Sequence, residues 1–202
     1  MTKSTAVLAV IVLLIACTGA RRFAPQTASR NIPSSPPAFD VTAAEPLPLS
    51  SPRIVVKKAE RKLYLYSDGK LARTYRVGLG LSPVGDKVRQ GDRRTPEGEF
   101  YIFTKNDKSA FYLSLGISYP NAAHAERGLR DGLISRTQYT TIMEALNDRK
   151  GPPQNTKLGG DIYIHGNGSS TDWTWGCVAL EDRDVRELFN AVTVGTPVTI
   201  KP

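Results

Sequence analysis

Through the middle of the chain, apolar residues come in short alternating bursts, the spacing of half-buried strands. Ile54-Val55-Val56 and Leu63-Tyr64-Leu65-Tyr66 are two such bursts, separated by a charged turn over Lys57–Lys62. Ser67-Asp68-Gly69-Lys70 is a hairpin signal that leads into a third run, Leu71 to Gly78. After a glycine-rich stretch from Gly78 to Gly91, the pattern predicts strands over Gly98–Thr104 and Phe111–Leu115. Between Asn121 and Lys157 the period becomes helical. A short helix is predicted around His124–Leu129. A longer one over Ser135–Lys150 has Ser135 as its cap, Tyr139, Ile142, Met143 and Leu146 on its apolar face, and Gly151-Pro152-Pro153 as its stop. Asp161–Ile164 returns to strand. A last helix starts near Asp182, with Val185, Leu188, Phe189 and Val192 spaced i, i+3, i+4, i+7; Gly195 ends it and Pro197–Lys201 follows as a strand. The expected domain is mainly β, with a helical insertion over residues 121–157 and a C-terminal helix. Its hairpin connections argue against a parallel doubly wound sheet.

The first 52 residues obey other rules. Lys3 precedes an unbroken apolar run of eleven residues, Ala6 to Ala16, which is short for a membrane span and right for a signal-peptide core. The run ends Leu14-Ile15-Ala16-Cys17, which resembles the lipobox whose Cys becomes lipidated; the alternative is cleavage after Thr18-Gly19-Ala20, with Cys17 discarded. Either route predicts export to the bacterial cell envelope or periplasm, with a membrane lipid anchor in the first case. Residues 21–52 hold seven of the fourteen prolines and little that is aromatic, the composition of a semi-extended tether. The folded domain is expected from Arg53 onward.

Charge narrows the partners. A net charge of +8 suits an anionic polymer or surface. The cations are interspersed with acids, and no base-stacking signature accompanies them, so no nucleic-acid partner is expected. Gly78-Leu79-Gly80-Leu81-Ser82-Pro83 imitates a dinucleotide loop but carries Pro83 where the third glycine belongs. With His124 and His165 the only histidines, a zinc site is not expected either. No cofactor and no metal are predicted.

Chemistry concentrates near the C-terminal end. The apolar strand ending Ile164-His165 runs into Gly166-Asn167-Gly168, and twelve residues after His165 comes Cys177, in Thr174-Trp175-Gly176-Cys177. The chain has two cysteines, Cys17 and Cys177. Once Cys17 is lipidated or removed, Cys177 is a lone thiol in an exported protein, where cysteines normally pair. A nearby imidazole can take the proton of such a thiol, and glycine before it lets backbone N–H groups of residues 176 and 177 approach a developing oxyanion. The plainer alternative is a structural Cys and a satisfied His. Trp173 and Trp175 either line a substrate groove or pack in the core.

Gly91-Asp92-Arg93-Arg94-Thr95-Pro96-Glu97-Gly98-Glu99-Phe100, His165-Gly166, Thr174-Trp175-Gly176-Cys177 and Gly195-Thr196-Pro197-Val198, in that order, resemble the L,D-transpeptidase catalytic domain, or YkuD domain, over roughly Arg53 to Pro202. The resemblance implies a β-sandwich or barrel-type fold, Cys177 as acyl-enzyme nucleophile, His165 as its base, and Gly166 as the source of an imidazole-orienting carbonyl. It implies peptidoglycan stem peptides as substrate and 3→3 cross-linking or protein attachment as outcome. Carboxypeptidase or amidase action on the same bond and a non-catalytic wall-binding lipoprotein are the alternatives. Many members of that family carry a His or another polar residue before the Gly-Cys pair and an Arg or Asn two positions after the Cys; here Trp175 and Ala179 hold those places, which leaves the nucleophile intact and the donor and acceptor open. Thr174, Trp175 and Trp173 are the expected substrate contacts.

Overall fold

The computed structural model describes residues 49–202; the leader, Cys17 and the proline-rich stretch as far as residue 48 lie outside the described residues. Three antiparallel strands open the domain, β1 (Arg53–Lys57), β2 (Lys62–Ser67) and β3 (Lys70–Arg76). In β2 the alternation decides the faces: Leu63 and Leu65 are fully buried, and Tyr64 and Tyr66 lie partly exposed on the other side. Asp68 and Gly69 take φ of 48° and 75°, the left-handed pair that a two-residue hairpin requires.

Five further strands complete one sheet: β4 (Gly98–Ser109), β5 (Tyr112–Ile117), β6 (Tyr163–His165), β7 (Val178–Ala179) and β8 (Pro197–Lys201). The order across it is β3-β2-β1-β8-β4-β5-β6-β7, with β1–β8 and β6–β7 parallel and the rest antiparallel. Strand β8, last in sequence, sits near the middle and buries Val198 and Ile200. The mainly β architecture thus takes the form of a single curled sheet. Its two ends meet where Gly78, just past β3, exchanges backbone hydrogen bonds of 2.9 and 2.8 Å with Ala179 of β7. A Cβ on Gly78 would strike the Thr171 carbonyl, so that closure depends on glycine.

Strand β4 runs five residues beyond the expected Thr104. Lys105 and Asn106 are polar, yet they pair with Leu115 and Ser114 of β5, and the ladder overrides their weak strand preference. The helical segment holds α1 (Ala122–Arg130) and α2 (Arg136–Asn147). Asn121 caps the first through the His124 amide, and Ser135 and Gln138 form a reciprocal capping box on the second. These helices share a small apolar cluster of Ala125, Ile134, Ile142 and Leu158. The last helix, α3 (Asp182–Ala191), turns Val185 and Leu188 into the main core, each stabilising by about 1.5–3 kcal/mol. No helix among the described residues is long and apolar enough to cross a membrane.

Candidate active site

Strands β6 and β7 place the two reactive side chains. Their register sets Ile164 opposite Val178 and His165 opposite Ala179, so Cys177, one residue before β7, comes level with Tyr163. Tyr163 and His165 point to the same face of β6, as residues two apart in a strand must. The thiol and the imidazole therefore belong to neighbouring strand ends, brought together by parallel pairing across a loop.

The imidazole is held from several directions. His165 is only 3% exposed, and its Nδ1 lies 2.7 Å from the Gly166 carbonyl oxygen. A carbonyl can only accept, so Nδ1 carries the proton and Nε2 presents a lone pair. The Phe111 ring lies 4.6 Å away and the Trp173 ring 5.6 Å away, edge to face. Trp173 is itself fixed by donating from Nε1 to the Gly168 carbonyl at 3.0 Å. Burial lowers the His165 pKa below its ordinary 6.5, and the hydrogen bond to Gly166 offsets only part of that shift.

The thiol rests in a main-chain notch. Cys177 Sγ accepts from the Tyr163 N–H at 3.4 Å and donates to the Asp161 carbonyl at 3.4 Å. Burial pushes its pKa up to about 11, with the Asp161 charge adding to the rise and the Tyr163 amide and Lys87 opposing it. At neutral pH the thiol and the imidazole are thus both neutral. To act as a nucleophile the thiol would have to leave the Asp161 carbonyl and give up its proton to a base, for which Nε2 is the open ring nitrogen of His165.

The turn before Cys177 commits its polar groups internally. Thr174 is buried and its hydroxyl is committed within the turn, accepting from the Gly176 N–H at 3.2 Å and donating to the Cys177 carbonyl at 2.8 Å. It shapes the turn. For the same reason the Gly176 N–H is not aimed at an oxyanion. The Cys177 N–H has no protein acceptor among the described residues. Glycine is required at 176 on other grounds: its φ is +133°, and a Cβ would lie 2.8 Å from the Arg94 carbonyl oxygen and 3.0 Å from Ile162 Cδ1. The two tryptophans part company, with Trp173 packed on His165 and Trp175 left 68% exposed under the Arg93 guanidinium.

The loop over residues 81–95 walls this turn and is itself tightly organised. Asp92 accepts from the Val88, Arg89 and Arg94 amides and from Lys87 Nζ. Asp86 accepts from the Glu97 amide and Arg127, and faces His124 Nε2 at 3.0 Å. Burial would raise the Asp86 carboxyl, but these partners overcome it and hold it well below the usual carboxylate range. His124, 2% exposed with both ring nitrogens facing Asn121 and Asp86, ties α1 to this loop. Sequence reasoning missed the Asp161 carbonyl and the Tyr163 amide because they are main-chain groups. It missed Phe111 as a neighbour of His165 because 54 positions separate them. Among the described residues no group of three or more potential metal ligands is gathered.

A profile described as the L,D-transpeptidase catalytic domain (YkuD) matches residues 51–200. Escherichia coli YafK, itself assigned to the L,D-transpeptidases only provisionally, is 27% identical over 147 residues, covering 69% of this chain and 46% of its own length. The chain therefore spans about half the length of that relative. Among solved structures, Bdellovibrio bacteriovorus Bd1075 superposes with a TM-score of 0.50 at 20% identity, over 75% of this chain and 48% of the other. The helical cell shape determining protein Pgp2 of Campylobacter jejuni gives 0.49 at 22% identity, over 77% and 49%. The match over residues 51–200 covers most of the chain, which belongs to the L,D-transpeptidase (YkuD) catalytic domain family.

Proposed function

We propose that this domain is a cysteine-dependent peptidoglycan L,D-transpeptidase. The observation that carries the reading is the pairing of β6 with β7, which sets Cys177 level with Tyr163, two positions along the strand from a histidine whose Nδ1–H is committed to the Gly166 carbonyl. In the first half-reaction Cys177 Sγ bonds to the carbonyl carbon of an L-centre residue in a tetrapeptide stem. Its proton passes through His165 Nε2 to the departing amine, the C–N bond breaks, and terminal D-Ala leaves a thioester. In the second, an amine attacks the thioester, His165 takes its proton, and the C–S bond breaks to restore the thiol. A neighbouring stem as acceptor gives a 3→3 cross-link, a protein amine gives wall attachment, and water gives hydrolysis.

The experiment is incubation of the protein with disaccharide-tetrapeptide, with products read by mass spectrometry. Loss of D-Ala with dimer formation is expected. Loss of D-Ala alone moves the activity to carboxypeptidase, and no D-Ala release with no acyl adduct on Cys177 overturns the enzyme reading.

The same reading includes export, and Cys17 as the lipid-bearing residue of an envelope-anchored protein. Metabolic labelling with a radioactive fatty acid should mark the protein and be lost in Cys17→Ala. Label that survives the substitution removes the anchor from this picture.

A further inference from the structure

Three short segments meet beside the nucleophile. Leu81 N–H donates to the Thr174 carbonyl at 3.0 Å, Ser82 N–H to the Arg93 carbonyl at 3.0 Å, and Gly80 N–H to Thr95 Oγ1 at 3.0 Å. A Cβ on Gly80 would strike the Arg93 carbonyl and come 3.2 Å from Gly176 Cα, and one on Gly176 would press on the Arg94 carbonyl. The backbone of Arg93-Arg94 thus lies directly against the residue before Cys177.

The two arginines diverge from there. Arg94 turns inward, with its guanidinium 3.3 Å from the Asp86 carbonyl oxygen. Arg93 goes outward. Its backbone sits at φ 59°, a region that non-glycine residues occupy at a cost, and Asp92 holds the turn around it through the Val88, Arg89 and Arg94 amides. Asp92 is in turn pinned by the buried Lys87 at 2.8 Å. The effect is to carry the Arg93 guanidinium over the Trp175 ring, 4.9 Å from its centroid. Both side chains are exposed, and Arg93 forms no ion pair with a carboxylate among the described residues. A guanidinium stacked on an indole keeps its in-plane N–H fork free, and that fork matches a carboxylate in two hydrogen bonds.

We infer that Arg93, stacked on Trp175, is a carboxylate-binding subsite at the mouth of the Cys177 site and a specificity-determining residue for the acyl donor. This rests on the proposed transpeptidase reading. The ligand is a peptide carboxylate close to the reacting carbonyl: the terminal carboxylate of the leaving residue or the side-chain carboxylate of the residue that is acylated. The two cations nearest it in the loop are engaged elsewhere: Arg94 reaches the Asp86 carbonyl and Lys87 pairs with Asp92.

The test is calorimetric binding to the Cys177→Ala protein, which separates recognition from chemistry. Three probes are compared: the disaccharide-tetrapeptide with diaminopimelate as the residue to be acylated, its C-terminal amide, and the same tetrapeptide with lysine, which lacks the side-chain carboxylate, in place of diaminopimelate. The parent should bind about 10-fold tighter than one of the two carboxylate-lacking probes, as a charge-assisted fork predicts, and the weakened probe names the carboxylate. Arg93→Gln should abolish that preference, Arg93→Lys should restore part of it, and Trp175→Leu should weaken it. Equal binding of all three probes, an unchanged preference in Arg93→Gln, or no binding of any probe overturns the inference. In the wild-type background Arg93→Gln should raise KM for the parent with kcat little changed. The two readings fail separately. Turnover with no Arg93-dependent preference sinks the subsite alone, and a preference without turnover sinks the transpeptidase alone.

Discussion

Replacing His165 by Gln should slow D-Ala release by ~10³-fold or more, within the range that a positioned general base supplies. The reason lies in the resting state of the pair. Burial pushes the Cys177 thiol up to about 11, so under the proposed mechanism the thiolate is made during the reaction. His165 can make it because burial keeps its imidazole neutral and the Gly166 carbonyl leaves Nε2 as the acceptor. Cys177→Ala should abolish acylation, and the double variant should be no slower than Cys177→Ala alone, since the two act as one unit. The pH dependence follows with a definite sign. Protonated His165 cannot take the thiol proton, and its pKa is lowered, so the rate should be lost only as pH falls below 6.5 and should hold level above it. Alkylation of the free thiol by iodoacetamide should instead keep climbing with pH toward 11, without levelling near the ordinary 9.0. Saturation of that alkylation near neutral pH would mean an ionised resting pair, contrary to the contacts of Sγ with Tyr163 and Asp161. A His165→Gln rate within about tenfold of wild type would remove it as the base.

What the sequence disclosed about this site, and what it withheld, divides along a physical line. Signals confined to a few residues were readable. Ser135 with Gln138 forms a capping box within four positions, Asp68-Gly69 sets its own hairpin, and Val185 and Leu188 mark the buried stripe of α3. His165 and Cys177 stood out in the sequence because few residue types offer such chemistry, and because each adjoins a glycine in the motif. Contacts that depend on how the sheet curls were not readable. Nothing in the pattern around Phe111 says that its ring stacks on His165, or that Gly78 closes the sheet on Ala179. Polar identity did not disclose what the fold does with a side chain. The Thr174 hydroxyl, read from the sequence only as a substrate contact, also satisfies the Gly176 amide and the Cys177 carbonyl. The continuation of β4 through Lys105 and Asn106 is likewise dictated by β5, a partner that local composition does not mention.

Lys58 shows how much of the site's rigidity rests on one residue outside it. It follows β1, is 2% exposed, and gives its ammonium to three acceptors: the Gly85 carbonyl at 2.6 Å, the Thr95 carbonyl at 2.9 Å and Glu97 Oε1 at 2.7 Å. One side chain thereby joins the strand to both ends of the loop that walls the nucleophile turn. Thr95 extends the link, since its hydroxyl accepts from Gly80 N–H and lies 3.4 Å from the Cys177 carbonyl oxygen. Lys58→Met keeps much of the apolar stem and removes the charge, leaving Glu97 without its counter-ion and two carbonyls without a donor. Breaking a buried pair from one side costs ~3–5 kcal/mol, more than any single apolar contact in α3 contributes. For a domain of this size the melting midpoint should fall by roughly 6–20 °C. Adding Glu97→Gln should recover part of the loss, because the stranded charge rather than the missing contact dominates it. A midpoint within about 2 °C of wild type in Lys58→Met would show that the loop is held by its other ties, Asp86 with Arg127 and Asp92 with Lys87, and that the ammonium is dispensable.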